Sequence, residues 1–391
     1  MGMLDGMHPK RLLETRRHSM TNQDRPTPTT DLALIDYDSA SSRHGIAARM
    51  STIIPGLLGA NSYEPRALPD PPVFPTATPL WRAGVVHYGI MIPDLPAPHH
   101  FLATMIIIGR AGFRAWDDDT TIKTTARDSV TLSHGTAATS HDPFSFYSAR
   151  EECELANDGS LLRFGEDLTV SGLYPNYRLQ SRRPGFAVDI ELAATGEIAW
   201  FIKSPVYDHL ALFTRYRGTI EHDGQSSKVS GLCTYEYAAG ITPHLLLRRA
   251  IPARFKIPFD FFTYQIIDLG SGSRVLLVGS GVHRQAGWLS AYLRTEDGGV
   301  HRIGTQVHFQ VLTTQPEAQF GNDAKPMTMP DTFRWVVRDH DNTRLELTGT
   351  VDTQWLYAGM GNISGYSYTG RLNDESIRGR GYLEYSDRRA P

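Results

Sequence analysis

The chain has 391 residues, enough for two or three domains at about 150 residues each. Its 39 Lys and Arg almost cancel its 42 Asp and Glu, and a net charge of −3 argues against a dedicated nucleic-acid binder. Two cysteines, Cys153 and Cys233, exclude a disulfide scaffold and read as buried thiols in a reducing compartment.

Residues 1–77 read as an irregular leader, with TNQDRPTPTTD, a Pro-rich run before Trp81, and one short helix expected over 47–54. The basic N-terminus lacks the continuous apolar stretch of a secretory signal. No apolar run reaches the roughly 18–20 residues that cross a bilayer, and FLATMIIIG from Phe101 is strand-sized. These features set the expectation of a cytoplasmic protein without a transmembrane segment.

From Trp81 the pattern changes to short apolar or alternating runs: VVHYGIMI, FLATMIII, YRLQS, AVDIEL, EIAWFI and KVSGLCTYEY, then FFTYQII, SRVLLVG, GWLSAYLR, TQVHFQVL, FRWVVRD, TRLELTG and GYLEY. Such runs, rich in Val, Ile, Tyr and Phe and bounded by Gly, Asp, Asn or Pro, are the signature of strands and hairpins. Asp158-Gly159, Asp223-Gly224 and Asp297-Gly298 suit tight turns. No long amphipathic helix interrupts them, so the chain reads as all-β.

The pattern also repeats. Tyr177-Arg-Leu with Val188-Asp-Ile-Glu-Leu and Trp200 matches Phe333-Arg-Trp with Arg344-Leu-Glu-Leu and Trp355. The closing runs Val229-Ser-Gly231-Leu-Cys-Thr-Tyr-Glu236-Tyr237 and Ile377-Arg-Gly379-Arg-Gly-Tyr-Leu-Glu384-Tyr385 share the form [VI]-x-G-x4-E-Y. Two β-domains are expected, over 78–245 and 246–388, joined between Pro243 and Pro258. Eight or nine antiparallel strands in each must close into a barrel or sandwich to hide their edges.

The closing strand, with Gly218-Thr-Ile-x-x-Asp-Gly224 before it and Gly379-Arg-Gly-Tyr-Leu-Glu384 at the end, resembles one superfamily. It contains the carotenoid 1,2-hydratases (hydroxyneurosporene synthases), the AttH-like proteins and the lipocalin-like survival-factor proteins. The resemblance implies tandem lipocalin-like domains and apolar, often polyene or terpenoid, ligands; its known activities include olefin hydration and Diels–Alder cyclisation. Where the hydratases carry Trp-Met-Asp-His-Gln-Trp-Gly, this chain has Cys233-Thr-Tyr-Glu236-Tyr-Ala-Ala-Gly240, so hydratase activity does not follow from the likeness.

Strand alternation puts Thr234 and Glu236 on one face, where a buried carboxyl can keep its proton and donate it at neutral pH. An ordinary structural Glu is the alternative. Glu384, beside Arg378 and Arg380, reads as part of a solvated, ion-paired face. His87 and Tyr88 point to opposite faces, so one of them faces inward and can shuttle a proton or hydrogen-bond a substrate carbonyl. Tyr235, Tyr237, Trp200 and Trp81 are the candidate substrate-binding aromatics. His99, His100, His134 and His141 invite a metal, but the adjacent pair lies in PAPHHF with no H-E-x-x-H or C-x-x-C, and a surface loop is the reading adopted. Asp117-Asp118-Asp119 lacks EF-hand spacing and reads as a solvated turn. No G-x-S-x-G, G-x-G-x-x-G or Walker A motif is present, so no metal or cofactor is expected. Three functions stand open: a cofactor-free enzyme (a hydro-lyase, isomerase or Diels–Alderase-like cyclase) on an isoprenoid, polyketide or steroid-like substrate, a carrier of a hydrophobic small molecule, or a structural or interaction protein whose cavities are filled by side chains. The oligomeric state is not readable from sequence.

Overall fold

The computed structural model describes residues 36–38, 73–76, 83–139, 142–203, 205–270, 272–282, 285–295 and 299–389. Trp81, His141, the Asp297-Gly298 turn and the helix expected over 47–54 lie outside the described residues.

Two eleven-stranded antiparallel sheets make up the fold, one curled into a half-barrel and the other into a nearly closed barrel, as tandem lipocalin-like domains. The first opens with Val85–Ile92 and ends with Gln225–Gly240, and these two strands pair, with Tyr237 opposite Tyr88 and Glu236 opposite Gly89. In the second, Phe259–Asp268 pairs with Glu375–Asp387, placing Tyr264 opposite Glu384. The leader contributes a short strand, Asp36–Asp38, which pairs with Gln306–Thr314 of the second sheet. It also contributes Phe74, buried in the core of the first. Neither contact is visible in the leader's composition. Among the described residues no helix is long and apolar enough to cross a membrane.

The repeat has a physical basis. Arg178 forks onto Asp189 at 2.8 and 2.7 Å, and Arg334 pairs with Glu346, each across the matching strand pair of its own sheet. Gly231 and Gly379 of the shared motif each lie under a cross-strand tyrosine. A Cβ at Gly231 would come within 3.2 Å of the Tyr216 ring, and one at Gly379 within 3.1 Å of the Tyr368 hydroxyl. The hairpin between the long strands Tyr207–His222 and Gln225–Gly240 turns at Asp223 and Gly224, both with positive φ, as a two-residue turn between right-twisted strands requires.

Buried side chains form three clusters. One fills the first sheet's interior and includes Tyr88, Tyr177, Trp200, Tyr235 and Tyr237. A second fills the other barrel around Phe261, Trp335 and Tyr366. The third lies between the sheets, where Met91, Phe101, Phe201 and Ala211 of the first meet Phe262, Tyr264 and Ile266 of the second. This third layer explains why VVHYGIMI and FFTYQII are apolar almost throughout: both faces of these strands are covered. At ~2 kcal/mol for each buried large apolar side chain, the layer is a major part of what holds the two sheets together.

Candidate functional site

The interdomain layer carries an acid–imidazole cluster. On Gln225–Gly240, Ala238 is flanked in register by His87 on one neighbouring strand and His209 on the other, with Glu236 two residues along on the same face. The neighbours of Glu236 are Ala211 and Gly89, both small. A Cβ on Gly89 would approach His87 Nε2 to 3.2 Å, so the glycine leaves the ring its space. Both imidazoles bring Nε2 to 3.6 Å from Glu236 Oε2. His87 Nδ1 lies 3.0 Å from the Ile106 carbonyl and must donate to it, so a proton on His87 Nε2 makes the ring an imidazolium.

Burial by itself raises the Glu236 carboxyl, but the two imidazoles outweigh it and hold it down at about 2. Glu384 reaches the same layer from the second sheet. Burial first, and then the charge of Glu236, push its carboxyl well above the ordinary range, against the opposing hydrogen bond from Tyr382 at 3.0 Å. Burial and Glu236 likewise raise the Tyr264 phenol. Three buried atoms of this cluster have no hydrogen-bond partner among the described residues: Glu236 Oε1, His209 Nε2 and Tyr264 Oη. His209 Nε2 still faces Glu236 Oε2 at 3.6 Å, and buried polar atoms that lack a close hydrogen bond are places where a bound molecule can be satisfied.

They border a cavity of about 60 Å³, lined by His87, His209, Glu236, Tyr264 and Glu384 and walled by apolar groups such as Phe262. A second cavity of about 50 Å³ lies on the far side of Trp116, Tyr207, His209, Phe262 and Tyr264, which line both. Each has room for a few water-sized molecules. His87 Nε2, His209 Nε2 and a Glu236 oxygen lie within 4.8 Å of one another, the one such group of donors among the described residues, and can hold a metal ion. The same spacing is that of an imidazole–carboxylate ion pair.

Of the residues singled out from sequence, the structure brings His87 and Glu236 together. Tyr88, Tyr235, Tyr237 and Trp200 lie on the opposite face, inside the first barrel. There Tyr88 donates to the Phe74 carbonyl at 2.6 Å, Tyr237 donates to the Pro75 carbonyl at 3.1 Å, and Tyr235 stacks on Tyr177 at 4.4 Å. Trp81 lies outside the described residues. His209 and Tyr264 were missed, although the alternation in YDHLALF places His209, Ala211 and Phe213 on one face.

Three expectations are corrected. Glu384 is buried, not solvated, because its strand runs from an exposed end at Glu375 to a covered end, while Arg380 turns aside to Asp352 at 2.8 Å. Asp117-Asp118-Asp119 is no solvated turn. The Asp117 side chain is buried and accepts from the backbone N–H groups of Ala111 and Gly112, Lys256 lies 3.3 Å from Asp117 and 2.7 Å from Asp119, and Tyr357 donates to Asp118 at 2.6 Å. The adjacent His99 and His100 do lie in the loop between Val85–Ile92 and Leu102–Gly109, but His99 is buried there against Thr136, and His134 is buried in a strand between Thr104 and Ser181.

The sequence model of a family of unknown function, DUF6670, matches residues 105–391. No curated protein matches the sequence. Among solved structures, a proposed AttH protein of Nitrosomonas europaea aligns over 79% of this chain and 94% of its own, at 14% identity and a TM-score of 0.52. That likeness carries the fold. The crystal structure of CghA aligns over 83% of this chain and 97% of its own, at 11% identity and a TM-score of 0.40.

Proposed function

The chain belongs to the DUF6670 family, which is of unknown function, and we propose that its interdomain cavity binds an apolar small molecule and moves a proton on it. Glu384 is the acid, and the cluster of Glu236, His87 and His209 is the base. One observation carries this reading: two buried carboxyls from different sheets border one cavity, and their surroundings push them in opposite directions. Carboxyl groups whose environments separate their proton affinities are how a site holds an acid and a base at the same pH. A neutral Glu384 can protonate an olefin or an enol carbon. A proton from the adjacent position or from a water can go to Nε2 of His87 or His209, with the ionised Glu236 stabilising the imidazolium that forms. The Trp116 and Phe262 rings keep bulk water out and present aromatic faces to positive charge that develops during transfer.

The experiment begins with organic extraction of the purified protein and mass spectrometry of what is released. The molecule found, or its nearest olefinic and carbonyl analogues, is then the substrate for wild-type, Glu384→Gln and Glu236→Gln protein. Each substitution keeps the shape and removes the titrating group, so turnover falls by ~100-fold or more while binding changes little. Full turnover in both variants rejects the reading. Tight binding with no turnover in any form leaves a carrier.

A further inference from the structure

The segment that joins the two sheets carries a feature that neither the fold nor the site uses. Among the large apolar side chains that the chain exposes, Ile241, Leu246, Leu247 and Phe255 fall within one stretch of fifteen positions. Leu246 is 90% exposed and Phe255 67%. Exposed Val206 adjoins them, its carbonyl accepting from Ile241 N–H at 2.8 Å. The same stretch is basic. Between Glu236 and Asp260 the sequence has no acidic residue and carries Arg248, Arg249, Arg254 and Lys256. Lys256 is buried on Asp117 and Asp119, whereas the three arginines are exposed and make no ion pair among the described residues. Arg254 lies over the Phe255 ring, 4.7 Å from its centre, so charge and apolar surface are presented side by side.

The stretch is held firmly from beneath. Ile257 N–H donates to Gly112 O at 2.8 Å, Arg114 Nε to Ala253 O at 3.1 Å, and Ala126 N–H to Arg248 O at 2.9 Å. These anchors lie on the loop after Gly109, whose Trp116 lines both cavities. Apolar side chains among arginines, on a backbone pinned to the body of the protein, suit one kind of surface: hydrocarbon for Leu246, Leu247 and Phe255, with negative charge at the same level for the guanidinium groups.

We propose that residues 241–255 dock the protein on an anionic phospholipid bilayer, with Leu246, Leu247 and Phe255 entering the interface and Arg248, Arg249 and Arg254 meeting the headgroups. A chain with a net charge of −3 is repelled by such a surface as a whole, so the local basic run decides the orientation and turns the cavity wall toward the lipid. The docking does not depend on the chemistry proposed for the cavity, although a bilayer is a natural store for an apolar substrate.

Vesicle flotation of the full chain tests this without any substrate. Vesicles of phosphatidylcholine with phosphatidylglycerol are expected to carry the protein at low salt, and phosphatidylcholine alone to carry little. Each arginine replaced should weaken binding ~5-fold, and high salt should release it. Arg248→Glu with Arg249→Glu should abolish flotation, and Leu246→Ser with Phe255→Ser should leave only weak, salt-labile binding. All four positions are exposed, so unchanged melting curves establish that the variants are folded. Absence of flotation with phosphatidylglycerol, equal flotation on both lipids, or variants that float like wild type would overturn the proposal. So would a wild-type dimer in light scattering that Leu246→Ser with Phe255→Ser converts to monomer, since the patch would then face a second copy of this chain.

Discussion

Glu236 and Glu384 lie on the closing strands of the two sheets, each beside its own opening strand, and both border the same cavity. Two imidazoles hold the first carboxyl down at about 2, while burial and the charge of the first push the second well above the ordinary range. The repeat therefore supplies two copies of one residue and two different environments.

That difference makes a stability prediction for Glu384. Its folded affinity for a proton exceeds the ordinary 4.5, so above pH 4.5 the unfolded chain loses a proton that the folded chain keeps. Its contribution is fully present below pH 4.5 and is lost as pH rises, at up to ~1.4 kcal/mol per pH unit. Glu384→Gln removes this term, so its melting temperature relative to wild type should climb as pH rises above 4.5. A difference that stays constant above pH 4.5 would mean that Glu384 titrates normally.

Glu236 has the opposite sign. Its carboxyl is depressed to about 2 from 4.5, so its contribution is present above pH 4.5 and disappears as pH falls toward 2. Denaturant unfolding should show Glu236→Gln less stable than wild type at pH 7, by about 3 kcal/mol at most, and the two should converge in acid. Equal stability at pH 7 would show that the imidazole contacts contribute nothing.

The same three side chains distinguish an ion pair from a metal site by elemental analysis. With the cluster acting as base, protein purified without chelator should hold far less than one transition-metal ion per chain, and zinc should leave its melting temperature unchanged. A stoichiometric ion that is lost in His209→Ala would reassign His87, His209 and Glu236 as its ligands.

Gly218 and Gly370 test the repeat away from the site. A Cβ at Gly218 would come 2.0 Å from Asp189 O, and one at Gly370 would come 2.1 Å from Glu346 O, on the matching neighbouring strand. Backbone cannot yield as a side-chain end can, so Gly218→Ala and Gly370→Ala should each destabilise by ~2 kcal/mol or more in chemical denaturation. A neutral result at either position would break the structural equivalence.

The strands were legible because their apolar runs and turn dipeptides are local, and the repeat was legible because its ion pairs and Gly–Tyr contacts recur at fixed spacing. The environment of the site was less so. Glu384 shares a strand with Arg378 and Arg380, and only the second sheet's packing against the first decides where the covered half begins. The Asp117 carboxylate is buried because Lys256, far along the chain, comes to meet it. His209 gains its meaning from Glu236 on the next strand and His87 beyond that one, a juxtaposition that periodicity within a single run does not contain.

The pairing of opening with closing strands also constrains how the chain is made. Tyr88 and Tyr237, and likewise Tyr264 and Glu384, are cross-strand partners separated by more than a hundred residues, so neither sheet closes until nearly all of its sequence has left the ribosome. The first sheet can close while the second is still being synthesised. Its outer face, with Met91, Phe101 and Phe201, then stays bare until Phe262, Tyr264 and Ile266 arrive to cover it. During that interval the nascent protein displays as sticky surface the same layer that later encloses its acid and base, which makes this face the natural hold for a chaperone.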